Sequence, residues 1–411
     1  AVIRVSGPES GAALKALAGR LPAPRHASLA LLSDPADGTP IDRGLILWFP
    51  GPDSATGEDL AEFHVHGSRA VAAKMLAVLD DLPGLRAAEA GEFTRRAFLH
   101  GRMDLSETEG LGDLLAAETE TQRRQALAMS EGGLARQIGE WREQLLKAEA
   151  RLEAVLNFSD EGDVDEADQQ AALGAIRDVN YEIQATLAAP PAERIRDGVR
   201  VALAGPPNAG KSTLFNALIA REAAIVSPTA GTTRDIIEAP VEIDGLAFVF
   251  SDTAGLRAAG DAIEDEGIRR ALDALDRTDI LLWLGDPDAA PAGENVIRLH
   301  ARCDEADRAE FPGNADLAVS AVSGEGLDAL RALILERARA MVPREDQLAL
   351  NARQRGVLRE AAEILADPPE DDWILLVETL RQARASFDRL TGQGGVEDML
   401  DALFGKFCIG K

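Results

Sequence analysis

The hydrophobic positions of this chain change their spacing along its length and so predict different kinds of element. Short apolar runs at residues 1–6 and 44–49 predict strands, and residues 70–80 predict a helix. From Leu134 to Val155 the apolar residues keep to one face over about six turns, which predicts a long amphipathic helix. An acidic stretch at 160–166 predicts a solvated loop, and 177–188 predicts a further helix closed by Pro190-Pro191. After Pro343 the pattern is helical again to about residue 404, with one apolar stripe at Leu380, Ala383, Phe387 and Leu390.

Between these helical segments, a strand predicted at 199–204 leads into Gly205-Pro-Pro-Asn-Ala-Gly-Lys-Ser212 and then a helix. Strand, glycine-bounded loop and helix start are the context in which this pattern forms a phosphate-binding P-loop. Backbone N–H groups of the loop and of the helix N-terminus would contact the phosphates of a nucleotide. We expect Lys211 to reach the outer phosphates and the Ser212 hydroxyl to hold Mg²⁺. The predicted nucleotide contacts of this segment are Asn208, Ala209, Gly210, Lys211, Ser212 and Thr213.

Two further segments follow in the order typical of a GTPase. Gly231-Thr-Thr-Arg-Asp235 offers a hydroxyl, that of Thr233, to the Mg²⁺ of the triphosphate state. Asp244-Gly245 predicts a type I′ hairpin, whose second strand ends at Asp252-Thr-Ala-Gly255. Asp252 would hold the metal through water and the Gly255 N–H would meet the γ-phosphate, with Thr253 and Ala254 beside them. Each residue alone could be a capping Asp or a turn Gly, but their order and spacing predict a P-loop NTPase.

The identity of the base is less clear from the sequence. Guanine is usually read by an N-K-x-D motif, and the matching segment here is Ala301-Arg-Cys-Asp304, in which only the Asp remains. Asp304 can still accept hydrogen bonds from guanine, and Ser320-Ala321 resembles the last guanine-loop motif. We expect guanine, with an affinity lowered by the missing Asn.

Two strands predicted at 280–284 and 296–299 are separated by about ten residues rich in Pro, Ala and Asp. A parallel crossover usually needs a dozen or more residues, commonly with a helix. Either one helix of this domain is much reduced, or residues are missing from the sequence.

Catalysis must also differ from the Ras pattern, because Leu256 stands where a Gln would orient the attacking water. The acidic stretch Glu264-Asp-Glu266 offers a replacement for the Gln. The side-chain oxygen of Asn208 can hold a monovalent cation beside the phosphates, in the role of an arginine finger. The alternative for Asn208 is a loop residue that bonds its own backbone.

The composition of the chain indicates which partners and which cellular compartment are compatible with it. The chain has 411 residues, 43 basic and 70 acidic, with a formal net charge of −27. This charge disfavours bulk attraction to nucleic acid, and an RNA partner would need a local basic patch or a second protein. Two cysteines, no signal peptide and no membrane-length apolar run predict a cytoplasmic protein without a membrane partner. The chain begins at Ala1 without Met, inside a predicted strand, and we expect native N-terminal residues to be missing.

Several segments together resemble the MnmE (TrmE) family of tRNA-modifying GTPases over nearly the whole chain. They are Asn208-Ala-Gly-Lys-Ser212, Arg221-Glu-Ala-Ala-Ile-Val226, Gly231-Thr-Thr-Arg-Asp235, Gly57-Glu-Asp with Glu62 and His64-Val-His-Gly67, Gly91-Glu-Phe-Thr-Arg-Arg-Ala97 and the Phe407–Lys411 terminus. The resemblance implies an α/β and α fold: an α+β folate-binding and dimerisation domain at 1–100, a discontinuous helical domain at 101–197 and 343–411, and an inserted P-loop (Ras-like) GTPase domain at 198–342.

The resemblance also implies a reaction and its partners. A homodimer of such a protein works with the flavoprotein MnmG, as a heterotetramer, on C5 of the wobble uridine of certain tRNAs. It attaches an aminomethyl or carboxymethylaminomethyl group, whose one-carbon unit comes from a bound tetrahydrofolate in its 5,10-methylene or 5-formyl form. The nucleotide is GTP or GDP with Mg²⁺, and K⁺ stimulates hydrolysis when two GTPase domains meet.

Site residues follow from the resemblance by position. The folate contacts are Arg4, Glu62, Arg102 and Lys411, where Arg102 stands in place of the usual Lys. The K⁺ ligands are Asn208, Ser227, Thr229 and Thr232, where Ser227 replaces a Thr. Glu264 falls at the water-positioning acid, and the role of Cys408 stays open between a site residue and a buried thiol.

Other interpretations remain open at this point. His64 and His66 alternate with Glu62, so a metal is conceivable, although a polar strand face lining the folate pocket explains them better. The whole protein can also be a GTP-driven assembly switch without covalent chemistry, or a folate enzyme with a vestigial GTPase domain.

Overall fold

The structure is a computed structural model that describes residues 1–157, 166–224, 237–252, 278–308, 310–370 and 372–392. The chain divides into two compact units. The first consists of Ala1–Gly112, Ser130–Arg142 and residues 384–392, and the second of Asp113–Met129 and the described residues within Glu143–Ala383.

The first unit begins with an antiparallel sheet. Its strands are β1 (Val2–Ser6), β2 (Ser28–Ser33), β3 (Pro40–Phe49) and β4 (Leu60–His64), in the order β1-β4-β3-β2. Alternating residues such as Ala30, Leu32 and Ile46 are buried in one core with residues of helices α1 (Ser10–Ala18) and α2 (Arg69–Asp80). The predicted strands at 1–6 and 44–49 and the helix at 70–80 are confirmed. Strand β4 ends at His64, so the expectation that His66 lies on the same strand is wrong.

Helices complete the first unit. They are α3 (Glu92–Leu99), α4 (Leu105–Ala116, which continues into the second unit), the start of α6 (Gly133–Asn157) and the end of the last described helix, α12 (Trp373–Thr391). The Trp141 and Phe387 rings, both fully buried, lie 5.9 Å apart. The predicted apolar stripes of α6 and α12 are therefore confirmed as packing surfaces, except at Val155, whose side chain lies outside the described part.

The second unit contains a mostly parallel sheet. Its strands are β5 (Val199–Ala204), β6 (Ala223–Ala224), β7 (Ile237–Ile243), β8 (Leu246–Asp252), β9 (Ile280–Trp283), β10 (Val296–Ala301) and β11 (Leu317–Val319), in the order β11-β10-β9-β5-β8-β7-β6. Helices α9 (Lys211–Ile219) and α10 (Leu327–Met341) contribute to its core, through residues such as Phe215 and Leu330. Asp244 and Gly245 have φ angles of 52° and 83°, which confirms the type I′ hairpin between β7 and β8.

The connection between β9 and β10 is short. The two strands are parallel neighbours, and the described residues between them hold only a 3₁₀ turn at Pro287–Ala289. The connection in this chain therefore contains a much reduced helix, as the first of the two alternatives left by the sequence requires. Trp283, at the end of β9, is buried beside the P-loop. Its ring lies 2.9 Å from the position that a Cβ on Gly285 would take, and Pro206 lies at the same distance.

Helix α5 (Glu120–Ser130) contacts the two places where the chain enters and leaves the P-loop sheet. The buried Gln122 donates from Nε2 to the carbonyl oxygens of Ile195 (3.0 Å) and Arg196 (3.1 Å), just before β5. One turn further, the buried Gln125 donates to the carbonyl oxygen of Arg344 (2.9 Å), just after α10. These glutamines line a cavity of about 40 Å³.

The remaining helices of the second unit are α7 (Glu166–Ala188), the single turn α8 (Glu193–Arg196) and α11 (Ala352–Ala366). Helix α11 packs on α7, and the Arg355 guanidinium donates to the carbonyl oxygens of Leu187 and Ala189, both at 2.7 Å. None of the described helices has the length and apolar character needed to span a membrane.

Candidate functional site

The P-loop joins the end of β5 to the start of α9, which confirms the predicted strand, loop and helix. Gly205 has φ 144°, and a Cβ there would lie 3.2 Å from backbone atoms of Leu284 and Gly285. Gly210 has φ 93° and precedes α9 without a side-chain cap. Both positions therefore need glycine, and the first backbone N–H groups of α9 face the loop as a phosphate site requires.

Lys211 is turned into this loop. Its Nζ donates to the carbonyl oxygens of Gly205 and Pro206, both at 2.8 Å, and the residue is only 9% exposed. Ser212 and Thr213 follow in the first turn of α9 and are exposed, whereas Ala209 is buried. The ammonium group thus lies in the concave side of the loop, where it can meet anionic oxygens.

Asn208 occupies the outer turn of the same loop. Its φ of 62° is a left-handed conformation that Asn tolerates better than most residues, and the residue is exposed. Its side chain is therefore available at the rim of the phosphate cradle. This position agrees both with the expected cation ligand and with a purely structural turn.

The other predicted phosphate and metal residues are only partly covered by the structure. Asp252 ends β8, and its backbone pairs with Leu203 of β5, two residues before Gly205. The side chain of Asp252 lies outside the described residues, as do Ser227, Thr229, Thr232, Thr233, Thr253, Ala254, Gly255, Glu264, Cys408 and Lys411.

The segment expected to read the base follows β10. Asp304 is exposed, and the Cys303 N–H donates to the carbonyl oxygen of Val319 (3.3 Å), which brings this segment beside the end of β11. Ser320 is fully buried, and its Oγ accepts from the N–H groups of Val322 (3.2 Å) and Ser323 (3.0 Å). Ser320 therefore shapes its own loop, and Ala321 follows it there.

The Ala301–Asp304 segment contacts the P-loop through Arg302, a residue for which the sequence indicated no role. Ala301 is buried at the end of β10, but the guanidinium of Arg302 donates from Nη1 to the carbonyl oxygen of Asn208 (3.2 Å). The sequence signal that could have indicated a role for Arg302 is its position: it follows Ala301 and stands at the Lys position of the N-K-x-D motif.

The predicted folate residues of the N-terminal sheet are brought together. Arg4 of β1 lies directly opposite Glu62 of β4, on the sheet face away from α1 and α2. The Glu62 carboxylate is 2.9 Å from His64 Nε2, and the Arg4 guanidinium stacks 4.7 Å from the centre of the Phe93 ring. These residues form a polar patch on a half-buried strand surface.

Arg102, the third predicted folate residue of this unit, lies close to the loop before β4. It packs its stem near Gly57, and its Nη1 is 3.9 Å from a carboxylate oxygen of Asp53. His66 bonds Asp42, at 2.8 Å, rather than Glu62. Among the described residues no group of three or more His, Cys, Asp or Glu side chains is placed to hold a metal ion.

Comparison with known proteins decides the family. Residues 1–102 match the model of the GTP-binding protein TrmE N-terminus, and residues 105–408 match that of the MnmE helical domain. The chain belongs to the MnmE family. The tRNA modification GTPase MnmE of Sphingopyxis alaskensis is 55% identical over 100% of both chains. The proteins of that name from Rhizorhabdus wittichii and Novosphingobium aromaticivorans are 55% and 52% identical over 100% of this chain and 93% and 96% of their own.

Similarity to solved structures covers a smaller part of this MnmE-family chain. The G domain of the T. maritima FeoB iron transporter is 26% identical, over 34% of this chain and 98% of its own, with a TM-score of 0.25. Era in complex with MgGDPNP and a 16S ribosomal RNA segment is 25% identical, over 34% of this chain and 56% of its own, with the same TM-score.

Two of the segments that resemble the MnmE family meet in the first unit. Arg96 donates from Nη1 to both carboxylate oxygens of Glu58 (2.8 and 3.1 Å) and from Nη2 to Glu92 (2.9 Å). Burial raises the pKa of the Glu92 carboxyl, but hydrogen bonds from Arg86, the Glu89 N–H and Arg96 outweigh it and lower this pKa to about 2. The network ties the loop before β4 to α3, and so fixes Phe93 beside Arg4. The sequence placed these residues in family segments without showing that they bond each other.

Proposed function

We propose that this protein hydrolyses GTP as part of a tRNA modification reaction. With the flavoprotein MnmG, it attaches an aminomethyl or carboxymethylaminomethyl group to C5 of the wobble uridine. The proposal that the protein hydrolyses GTP is supported by the P-loop. Lys211 is turned into this glycine-bounded loop at the N-terminus of α9. Membership of a family whose curated members are named tRNA modification GTPases supports the rest.

The nucleotide would bind with its phosphates on the P-loop and its base between the loops after β10 and β11. Lys211 would neutralise the outer phosphates, and the Ser212 and Thr233 hydroxyls would hold Mg²⁺, with Asp252 acting through water. Asp304 would accept from the guanine, beside the loop shaped by Ser320. The remaining proposed contacts are Asn208, Ala209, Gly210, Thr213, Thr253, Ala254, Gly255 and Ala321.

We assign K⁺ to the rim of the cradle. Bound there, K⁺ supplies positive charge beside the phosphates, as an arginine finger does. The exposed Asn208 suits this role, because its left-handed backbone places a side-chain amide at the outer turn of the loop. Ser227, Thr229 and Thr232 would complete the ligands, and Glu264 would orient the water that Leu256 cannot hold.

The one-carbon unit would come from tetrahydrofolate held by the N-terminal sheet. The residues fit such a group, because Glu62 presents a carboxylate for paired N–H donors and Arg4 lies directly opposite it across the strands. Arg102 and Lys411 would meet the anionic tail of the folate. Cys408 lies three residues before Lys411 in the sequence.

Assembly through the N-terminal sheet is part of the proposal. The same face that carries Arg4 and Glu62 exposes Leu29, Leu31 and Leu45, which are 58%, 48% and 42% exposed. Leu29 pairs with Leu45 across β2 and β3, so these side chains form one apolar strip. A homodimer would bury this strip, and the proposed folate residues lie on neighbouring strands of the sheet.

The proposed domain limits are 1–100 for folate binding and dimerisation, 101–197 and 343–411 for the helical domain, and 198–342 for the GTPase domain. We place the protein in the cytoplasm, because two cysteines in 411 residues suit a reducing compartment.

One set of measurements tests the proposed function. GTP turnover is measured in KCl and in NaCl at protein concentrations that allow two GTPase domains to meet, and tetrahydrofolate is titrated separately. Turnover that is faster in KCl, together with folate binding and tRNA modification in the presence of MnmG, is the expected result. Asn208→Ala should remove the difference between the salts, and Glu264→Ala should slow turnover in both without changing nucleotide affinity.

The same measurements separate the alternatives. An assembly switch would turn over GTP without binding folate, whereas a folate enzyme with a vestigial GTPase domain would bind folate without turning over GTP. Equal rates in KCl and NaCl would remove K⁺ from the mechanism.

A further inference from the structure

Arg302 connects the loop after β10 to the P-loop. Its Nη1 donates to the carbonyl oxygen of Asn208 (3.2 Å), and its stem lies beside Gly210, where a Cβ would be 3.6 Å from the Arg302 Cγ. Arg302 itself has φ 63°, a left-handed backbone that turns the side chain toward the P-loop as the chain leaves β10. Two strands of the sheet, β10 and β5, are thus linked across β9 at their carboxyl ends.

The contact falls on the residue whose orientation matters most for the cation. Asn208 adopts a left-handed conformation that is unfavourable for most residues and less so for Asn. A hydrogen bond to its carbonyl oxygen fixes the peptide group after it, and so the backbone conformation from which its side chain extends. Holding this conformation from outside the loop keeps the amide at the rim of the phosphate cradle.

The charge of Arg302 is balanced within the same loop. Its Nε donates to Glu305 Oε1 at 2.6 Å, and its Nη2 donates to Glu305 Oε2. Glu305 therefore orients the guanidinium and offsets a positive charge that would otherwise repel a cation bound by Asn208.

We propose that Arg302, oriented by Glu305, is a positioning residue that holds Asn208 ready to bind the monovalent cation. It thereby links the base-reading loop to the K⁺ response of GTP hydrolysis. The inference rests on the role of Asn208 in the proposed function. Ala301, the preceding residue, has no polar side chain. In this segment Arg302 therefore provides the link between the loop after β10 and the P-loop.

The test compares Arg302→Ala and Arg302→Lys with Arg298→Ala in the full chain. Arg298 is a matched control, because it lies on β10, the strand that leads into the loop of Arg302, and pairs with Asp316 (3.8 Å). The first quantity is the ratio of kcat in KCl to kcat in NaCl. The second is the dissociation rate of a fluorescent, non-hydrolysable GTP analogue in the two salts, which needs no turnover.

We expect Arg302→Ala to lower the KCl-to-NaCl ratio by about tenfold, the effect of losing one hydrogen bond from a charged donor. The difference between the two dissociation rates should shrink with it. Arg302→Lys keeps a donor but loses the paired contact with Glu305, so it should retain part of the ratio. Arg298→Ala should behave as the unchanged protein, and thermal unfolding of each variant with GDP shows that it is folded.

Two results would overturn the inference alone. One is an unchanged ratio in Arg302→Ala. The other is an equal loss of kcat in both salts, which would assign Arg302 to nucleotide binding without a role in the cation response. Equal rates of the unchanged protein in KCl and NaCl would overturn this inference and the K⁺ part of the proposed function together.

Discussion

Gln122 should be among the residues on which the second unit depends most for its stability. Its Oε1 accepts from the N–H groups of Glu118 (2.7 Å) and Thr119 (2.8 Å), while its Nε2 donates to the carbonyl oxygens of Ile195 and Arg196. Each such bond contributes about 0.5–1.5 kcal/mol, and each buried group left unpaired costs about 1–3 kcal/mol. The residue is 8% exposed, so water cannot replace these partners freely.

The expected cost of Gln122→Ala is smaller than the sum of these bonds. Gln122 lines a cavity of about 40 Å³, and the space left by the shorter side chain adds to it. A cavity of this size admits a water molecule, which can bond part of the groups left behind. We therefore expect a loss of about 2–3 kcal/mol.

A second variant, Gln122→Glu, tests the two hydrogen bonds that Gln122 donates to carbonyl oxygens. The carboxylate can still accept from Glu118 and Thr119, but it places an anionic oxygen against two carbonyl oxygens. At pH 8 this variant should be less stable than Gln122→Ala. Near pH 5 a larger fraction of the carboxyl is protonated and can donate to one carbonyl, so the deficit should shrink.

Calorimetric unfolding with GDP and Mg²⁺ measures these effects. A loss of about 2–3 kcal/mol should lower the Tm of the second unit by about 4–12 °C, given its size. Gln170→Glu, at an exposed position of α7, is the control and should change little. A Tm within about 1 °C of the unchanged protein for both Gln122 variants, or a Gln122→Glu variant more stable than Gln122→Ala at pH 8, would refute the reasoning.

Three further predictions follow from the first unit and from the C-terminus. Because the pKa of Glu92 is lowered to about 2, its stabilising effect should be complete above about pH 4.5 and fade toward pH 2. Glu92→Gln should therefore cost about 1–2 kcal/mol at pH 7, after allowing for solvent screening of Arg86, and less at pH 3 in denaturant unfolding. Glu62→Ala should abolish tetrahydrofolate binding in a titration while GTP turnover stays near normal, and unchanged affinity would contradict its assignment. Deleting residues 408–411 should remove tRNA modification with MnmG without lowering the Tm, since terminal residues rarely carry a core, and retained modification would contradict the proposed role of the terminus.

The sequence predicted those features that depend on neighbouring residues. Glycine spacing and the apolar run before it were enough to predict the P-loop and its strand and helix, because these elements are consecutive in the chain. The Asp244-Gly245 turn is equally local, and both residues have the positive φ that the pattern requires.

Features that depend on strand order or register could not be predicted from the sequence. Arg302 reaches Asn208 only because β10 and β5 flank β9, an order that periodicity does not reveal. The pairing of Arg4 with Glu62 depends in the same way on the register of β1 against β4. Gln122 bonds residues more than seventy positions away, and a polar residue on a helix gives no sign of such a partner.

The short connection after β9 has a spectroscopic consequence. Trp283 donates from its indole nitrogen to the carbonyl oxygen of Asp286 (2.8 Å), and its ring is packed where Pro206 of the P-loop and Gly285 come together. Its emission therefore depends on the packing of the P-loop, whereas Trp48 and Trp141 lie in the cores of the first unit. Nucleotide binding can thus be followed by the protein's own tryptophan fluorescence, without a label. The part of the fluorescence change that Trp283→Phe removes is the part that reports on the P-loop.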